Sequence, residues 1–225
     1  SSRTMPIASI TKLMTAMVAL EAYKLDEVLT VKRAGEAIGQ DMGLVGGEKM
    51  TAENLLYGLL VKSGNDAALA VAENYPQGYQ AFVEKMNQKA REWQMTKTQF
   101  KNVSGVEQAG HVTTVRDLAI LAKEAMKNEA LAKMVGSQEI DVADVTGKFK
   151  HQLININQLL GKVEGLRGVK TGWTVNAGEC LITDTVRNGR EIITVVLGSE
   201  DRFGESRQLI EWAFANHEWK SIEAL

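Results

Sequence analysis

The hydrophobic pattern of this chain changes period late in the sequence, and that change limits the folds open to it. From Ile10 onward, apolar residues recur at the three- and four-residue spacing of helices with one buried face. Ile10, Leu13, Met14, Met17 and Val18 form a first run, Leu55, Leu56, Leu59 and Leu60 a second, and Phe82, Val83, Met86, Ala90 and Trp93 a third. Beyond Val163 the pattern turns β-like. Leu181-Ile182-Thr183 and the run Ile192 to Leu197 flank Arg187-Asn188-Gly189-Arg190, and Asn-Gly between β-rich runs is a strong hairpin signal. A last amphipathic run carries Leu209, Ile210, Ala213 and Phe214. A helix-rich middle, an antiparallel sheet and a closing helix predict an α+β (mixed α/β) fold. It reads as a single domain over 1–225, helical over 9–135, with sheet and closing helix over 163–218.

Local signals refine the boundaries. The first helix is expected over Ser9 to Tyr23, with a short strand near Glu27 to Val31. Four glycines between Gly39 and Gly47 mark a loop. Thr51 reads as an N-cap, and Ser63-Gly64-Asn65 stops the helix behind it. Asn65 or Asp66 is expected to cap a small apolar helix to about Glu73. A further helix is expected from near Gln80, and Thr96 to Gly110 reads as loop. Thr114 and Asp117 suggest a capping box, with Asp in place of Glu.

Composition excludes several classes of function. The 225 residues are 44% hydrophobic and 24% charged, with formal net charge −2 and both signs interspersed. No basic run points to nucleic acid, and no apolar stretch approaches a membrane span. No leader pattern opens the chain, so the expectation is either a mature or trimmed chain or a cytosolic one. The lone Cys180 lies in an apolar run and reads as a buried strand residue. His111, His151 and His217 are scattered, so neither a metal site nor a cofactor is expected, and His111 is read as structural.

The candidate chemistry begins at Pro6 to Met14. Ser9 and Lys12, three apart at a helix start, share a face, and a hydroxyl beside an amine that can take its proton is an activated nucleophile. Ser-x-x-Lys alone is a weak signal. Ser63-Gly64-Asn65 sits between two helices, and Lys170-Thr171-Gly172 lies on an expected strand that a glycine opens to close approach. The three triplets in this order form the set used by penicillin-binding proteins and class A β-lactamases. Singly, each has a blander reading: a helix stop and cap for Ser63 and Asn65, a solvated charge for Lys170, turn formation for Asn155 and Asn157. Arg167 reads as a surface charge or as a second anion contact.

The resemblance extends beyond the triplets. Pro6 to Met17, Ser63 to Ala67, Met86-Asn87, Thr98 to Asn102, Gly110-His111, Asn155 to Leu160 and Gly168 to Gly172 resemble the low-molecular-mass serine DD-peptidases that trim peptidoglycan. Trp173-Thr174 after the third motif, and Asn74 to Phe82, resemble the penicillin-binding protein 7 type of murein DD-endopeptidase; carboxypeptidase relatives more often carry His after the motif. The resemblance implies a β-lactamase/transpeptidase-like fold, an antiparallel sheet flanked by a helical region. It implies Ser9 as nucleophile, Lys12 as base, Ser63 as proton relay, and Asn65 holding the substrate amide and orienting Lys12. It also implies an oxyanion hole from the backbone N–H groups of Ser9 and Trp173, and substrate docking on Lys170, Thr171 and Gly172.

The expected partners are peptidoglycan stem peptides, with β-lactams as covalent inhibitors, and the expected location is periplasmic or otherwise extracytoplasmic. A crosslink-cleaving endopeptidase is the leading reading and a D-Ala-D-Ala carboxypeptidase the near alternative. A β-lactamase needs a deacylating Glu-x-x-Leu-Asn, which is not found here. A catalytically weak peptidoglycan-binding or regulatory module is the remaining alternative. The family places two strands before the nucleophile helix, whereas eight residues precede Ser9, so those strands and the C-terminal β-domain of carboxypeptidases are expected to be missing from this chain.

Overall fold

The computed structural model describes residues 3–219. Strand β1 (Met5–Pro6) leads into a 3-10 turn, Ala8–Ile10, and then helix α1 (Thr11–Ala22). The apolar spacing predicts one buried face for α1. Instead every residue from Thr11 to Ala19 is buried, because the helix is central, packed by helices on several sides. Small side chains at Thr15, Ala16 and Ala19 make that close approach possible.

A short hairpin-like pair follows, β2 (Val28–Thr30) with β3 (Lys49–Thr51), antiparallel with Leu29 opposite Met50. Thr51 caps α2 (Ala52–Leu60) as expected, its hydroxyl accepting from the Asn54 amide at 3.2 Å. Leu55, Leu56, Leu59 and Leu60 are all buried. Helix α3 (Asn65–Glu73) departs from the expected cap: Gly64 holds the N-cap position and makes no side-chain cap. Asp66 is used elsewhere. Its buried carboxylate accepts the backbone N–H groups of Met42, Gly43 and Leu44 at 3.0 to 3.2 Å, and that of Ala67 at 2.8 Å.

Helix α4 (Gly78–Glu92) buries Phe82, Val83, Met86 and Ala90. The loop after it is pinned by β4 (Val112–Thr113), which pairs with β1, Met5 facing Thr113. Thr114 caps α5 (Val115–Met126), accepting from the Asp117 amide at 3.1 Å. The reciprocal half of the expected capping box is not made: the Asp117 carboxylate accepts from the Lys97 amide and the Thr98 hydroxyl instead. Helix α6 (Glu129–Gly136) and the hairpin β5 (Glu139–Ala143) with β6 (Lys150–Ile154) are elements that the hydrophobic periodicity does not announce.

The main sheet is three-stranded and antiparallel, in the order β7 (Leu166–Thr174), β8 (Gly178–Arg187), β9 (Arg190–Ser199). Asn188 and Gly189 both take positive φ, 52° and 73°, as a two-residue primed turn requires. Helix α7 (Arg202–Asn216) packs on β8 and β9 through Ile210, while α5 covers the same strands from the helical side. Cys180 is fully buried in β8. Ahead of the nucleophile turn the described residues hold only β1, which joins β4 rather than the main sheet. Strand β7 lies at one edge of the sheet and packs against the turn that carries Ser9.

Asp66→Ala leaves those four amides without their acceptor inside the fold, so it is expected to destabilise by about 2–4 kcal/mol and lower Tm by about 5–15 °C. Thermal unfolding of the variant checks this; a Tm within a degree of the parent protein would mean that the Met42–Leu44 loop is held by other contacts.

Candidate active site

Ser9 stands where the chain turns into the central helix, and its predecessor Ala8 takes φ +53°, a conformation that side-chain-bearing residues seldom adopt. Two glycines make room for this turn. A Cβ on Gly105 would lie 1.8 Å from the Ala8 carbonyl oxygen, and one on Gly172 would lie 3.2 Å from the Ile10 amide nitrogen. The loop after α4 and the edge strand β7 therefore reach the nucleophile turn at backbone distance.

Lys12 is wholly buried. Its Nζ donates to Ser9 Oγ at 3.0 Å and to the Ser104 carbonyl at 2.7 Å. Burial, and then the neighbouring Lys170 charge, hold its pKa well below the usual lysine range, with Asp66 pulling weakly the other way. A neutral amine is thus accessible beside the serine hydroxyl, the condition for it to accept the proton. The expected Asn65–Lys12 contact is not the one formed: the Ser104 carbonyl orients the amine.

Ser63 takes φ +63° between α2 and α3, which turns its hydroxyl toward β7, where it accepts from Lys170 Nζ at 3.0 Å. Lys170 also donates to the Thr171 carbonyl at 3.2 Å and is 2% exposed. Burial and then the Arg202 charge lower its pKa to about 7. It sits behind Ser63, not at the surface where a substrate would lie. Asn65 donates from Nδ2 to the Ile38 carbonyl, and its Oδ1 is buried without a partner among the described residues.

A cavity of about 540 Å³ opens over this group, bounded by Ser9, Ser63, Asn65, Thr171 and Trp173. The Trp173 indole is 60% exposed at its mouth. Ser9, Lys12, Ser63, Asn65, Lys170, Thr171, Gly172 and Trp173 thus converge, the two lysines beneath the surface and the others on it. Sequence reasoning missed two contributors. Ser104 reads only as loop, because a carbonyl contributes no side-chain signature. Arg202 lines the same cavity and donates from Nη1 to the Gly172 carbonyl at 2.8 Å; nothing in its local sequence marks it.

Other candidates are placed elsewhere. Arg167 pairs with Asp184 and Glu191 on the sheet, its Nε 2.8 Å from the Asp184 carboxylate, and does not line the cavity. Asn155 donates to the Ser137 carbonyl at 2.9 Å and Asn157 accepts from the Leu159 amide at 3.2 Å, both shaping the turn after β6. Burial pushes the Cys180 thiol up, away from thiolate chemistry. Among the described residues no group of three or more His, Cys, Asp or Glu could hold a metal ion, and no helix is long and apolar enough to cross a membrane.

His111 supports the nucleophile helix from behind. Its Nδ1 accepts from the Lys101 amide at 3.0 Å, so the proton lies on Nε2, which donates to Thr11 Oγ1 at 2.7 Å. Burial, and then Lys101, lower its pKa from 6.5 to about 4.

The family described as D-alanyl-D-alanine carboxypeptidase, peptidase S11, matches residues 1–201. The D-alanyl-D-alanine carboxypeptidase DacF of Bacillus subtilis is 36% identical over 94% of this chain, which spans 56% of that relative. The D-alanyl-D-alanine endopeptidase of Pseudomonas aeruginosa is 35% identical over 92% of this chain and 69% of its own length. Among solved structures, the Streptomyces K15 DD-transpeptidase superposes with TM-score 0.90 at 30% identity, covering 95% of this chain and 89% of that one.

The folded pKa of His111 lies below the unfolded one, so the unfolded chain binds the proton more readily. The stability it contributes is complete above about pH 6.5 and is lost as pH falls toward about 4, a change of about 3 kcal/mol. His111→Gln is expected to flatten that limb of a stability–pH curve measured by chemical denaturation; an unchanged limb would remove His111 as its source.

Proposed function

The chain belongs to the D-alanyl-D-alanine carboxypeptidase family of serine peptidases, and from that premise we propose that it is an acyl-transfer DD-peptidase acting on D-alanine-containing peptides of peptidoglycan. One observation carries the reading: a buried amine of lowered pKa, 3.0 Å from a serine hydroxyl, at the floor of a peptide-sized cavity.

The steps follow from the contacts. Ser9 Oγ attacks the carbonyl carbon of a D-alanine residue and passes its proton to Lys12. The oxyanion is assigned to the backbone N–H groups of Ser9 and Trp173, two residues that line the cavity. The C–N bond breaks, the departing amine takes a proton through Ser63, and water then hydrolyses the ester to a free carboxylate. Asn65 Oδ1, buried and unpartnered, is an acceptor for a substrate amide. The edge of β7 offers an added-strand position for an extended peptide. The geometry redistributes the docking role. Thr171 and Arg202 face the cavity and suit the substrate's carboxylate end, whereas Lys170 serves the Ser63 hydroxyl from beneath.

Within this class we favour the crosslink-cleaving endopeptidase, on Trp173 at the cavity mouth, where carboxypeptidase relatives more often carry His. Carboxypeptidase activity is the alternative, since relatives of both names match this chain at nearly equal identity. Peptidoglycan as substrate places the protein outside the cytoplasm, in the periplasm or cell envelope.

Labelled penicillin is expected to attach to Ser9, with no adduct on Ser9→Ala and acylation slowed by about a hundredfold or more on Lys12→Ala. Mass spectrometry of the adduct decides it, and label retained by Ser9→Ala would refute the nucleophile. Crosslinked muropeptide dimers are expected to be cut in preference to free pentapeptides; D-alanine release from pentapeptides with dimers intact would reverse the choice of subclass.

A further inference from the structure

A second cavity, about 420 Å³, lies beside the first. Gly105, Val106, Glu107 and Thr174 border both, so this short stretch and the end of β7 form a dividing wall. The second cavity reaches Pro6, Ile7 and Ala8, the residues just before the nucleophile, and is backed by His111.

Charge on these walls is sparse. The residues around the first cavity include two charged side chains, Arg202 and Glu107. Around the second, Glu107 alone carries formal charge at neutral pH, since His111 is neutral there. Glu107 is also held in place. One carboxylate oxygen accepts from the Asn176 backbone amide at 2.7 Å and the other from the Asn176 side-chain amide at 2.6 Å. These donors, with the Thr174 hydroxyl, are neutral, and hydrogen bonds rather than a cation hold its pKa below the usual carboxylate range. Among the described residues it forms no salt bridge. The result is a fixed negative charge, exposed and held by neutral donors.

We propose that Glu107 is a specificity-determining residue whose carboxylate, clasped by Asn176 on the wall between the two cavities, receives a primary ammonium of the substrate peptide. The placement of the opposite charges gives the direction. Arg202 is bonded at Gly172, and Glu107 is bonded two and four residues further along, at Thr174, where β7 ends, and at Asn176 just past it. A peptide lying along the edge of β7, with its reacting carbonyl at Ser9, turns its carboxylate end toward Arg202 and its preceding residues toward Glu107. At about 3.3 Å per extended residue, the residue before the acylated D-alanine falls in that region. A side-chain amine there meets Glu107, and the remainder of that peptide arm has the second cavity to enter.

The proposal rests on the DD-peptidase reading, and two matched probes separate the two ideas. Nα-acetyl-L-lysyl-D-alanyl-D-alanine carries the ammonium; its Nα,Nε-diacetyl twin lacks it. The protein is expected to turn over the free-amine peptide with the higher kcat/KM, by about threefold to fivefold for an exposed pair. Glu107→Gln is expected to bring the ratio close to one, Glu107→Lys to invert it, and high salt to erode it. Equal losses on both peptides in Glu107→Gln would reduce Glu107 to a loop anchor and overturn the proposal, as would a ratio of one in the parent protein. Calorimetric binding of both peptides to Ser9→Ala, with and without Glu107→Gln, requires no chemistry. A preference there that Glu107→Gln abolishes supports the subsite even if no D-alanine is released, whereas absence of turnover and of a penicillin adduct refutes the peptidase reading alone.

Discussion

Burying the Lys12 amine dictates how the helices, loop and edge strand are arranged around it. An ammonium removed from water without a carboxylate partner is costly, and the fold lowers the cost by favouring the neutral form and by supplying the Ser104 carbonyl and Ser9 hydroxyl as hydrogen-bond partners. That requires a helix surrounded on all sides, which explains why α1 buries Thr11 to Ala19 rather than one stripe. It also requires a second cation close by, and Lys170 provides that from the opposite strand while occupied with Ser63. The same burial that makes the pair costly gives it its use, since an amine in water would hold its proton at neutral pH and could not take one from serine.

Bringing a loop, a helix start and an edge strand to within backbone contact imposes its own demands. Gly105 stands where any side chain would strike Ala8 and Gly172 where one would crowd Ala8 and Ile10, and Ala8 and Ser63 accept left-handed backbone to aim the residues around them. Sites built this way hold strain that the surrounding packing must offset. Here the supporting groups are hydrogen-bonded and buried: Asp66 gathers the amides of the Met42 to Leu44 loop, and neutral His111 bridges Thr11 and the Lys101 amide behind the nucleophile. One acts as a carboxylate saturated with N–H donors and the other as an imidazole kept uncharged.

The cavity mouth is governed by different physics. Arg202 and Glu107 are placed at successive positions along the end of the motif strand, and each is fixed by a backbone contact: Arg202 to the Gly172 carbonyl, Glu107 to the Asn176 amide four residues on. An exposed charge such as Glu107 contributes little to stability, so its value lies in orientation. A ligand with one negative and one positive end has a single register in which both are matched along β7.

Local chemistry is legible in the order of residues alone. The Ser9–Lys12 spacing, the Thr51 and Thr114 caps, the leucine face of α2 and the Asn188-Gly189 turn are all set by interactions within a few residues, and each is legible for that reason. So is the α+β class, because the period of the apolar pattern reports which face is buried. Which groups meet across long stretches of chain is set by the closing of the fold. Asp66 reads as one of two candidate caps until the Met42 loop takes its carboxylate, and Arg167 reads as a surface charge or a second anion contact until Asp184 and Glu191 claim it. Ser104 enters through a carbonyl, and Arg202 reaches Gly172 from the start of the last helix. The hairpin of β5 and β6 escapes the reading because strands this short, exposed on alternate residues, carry little periodic signal. Backbone groups and long-range partners leave no mark in residue spacing, so their roles exist only once the chain has closed around the buried lysine.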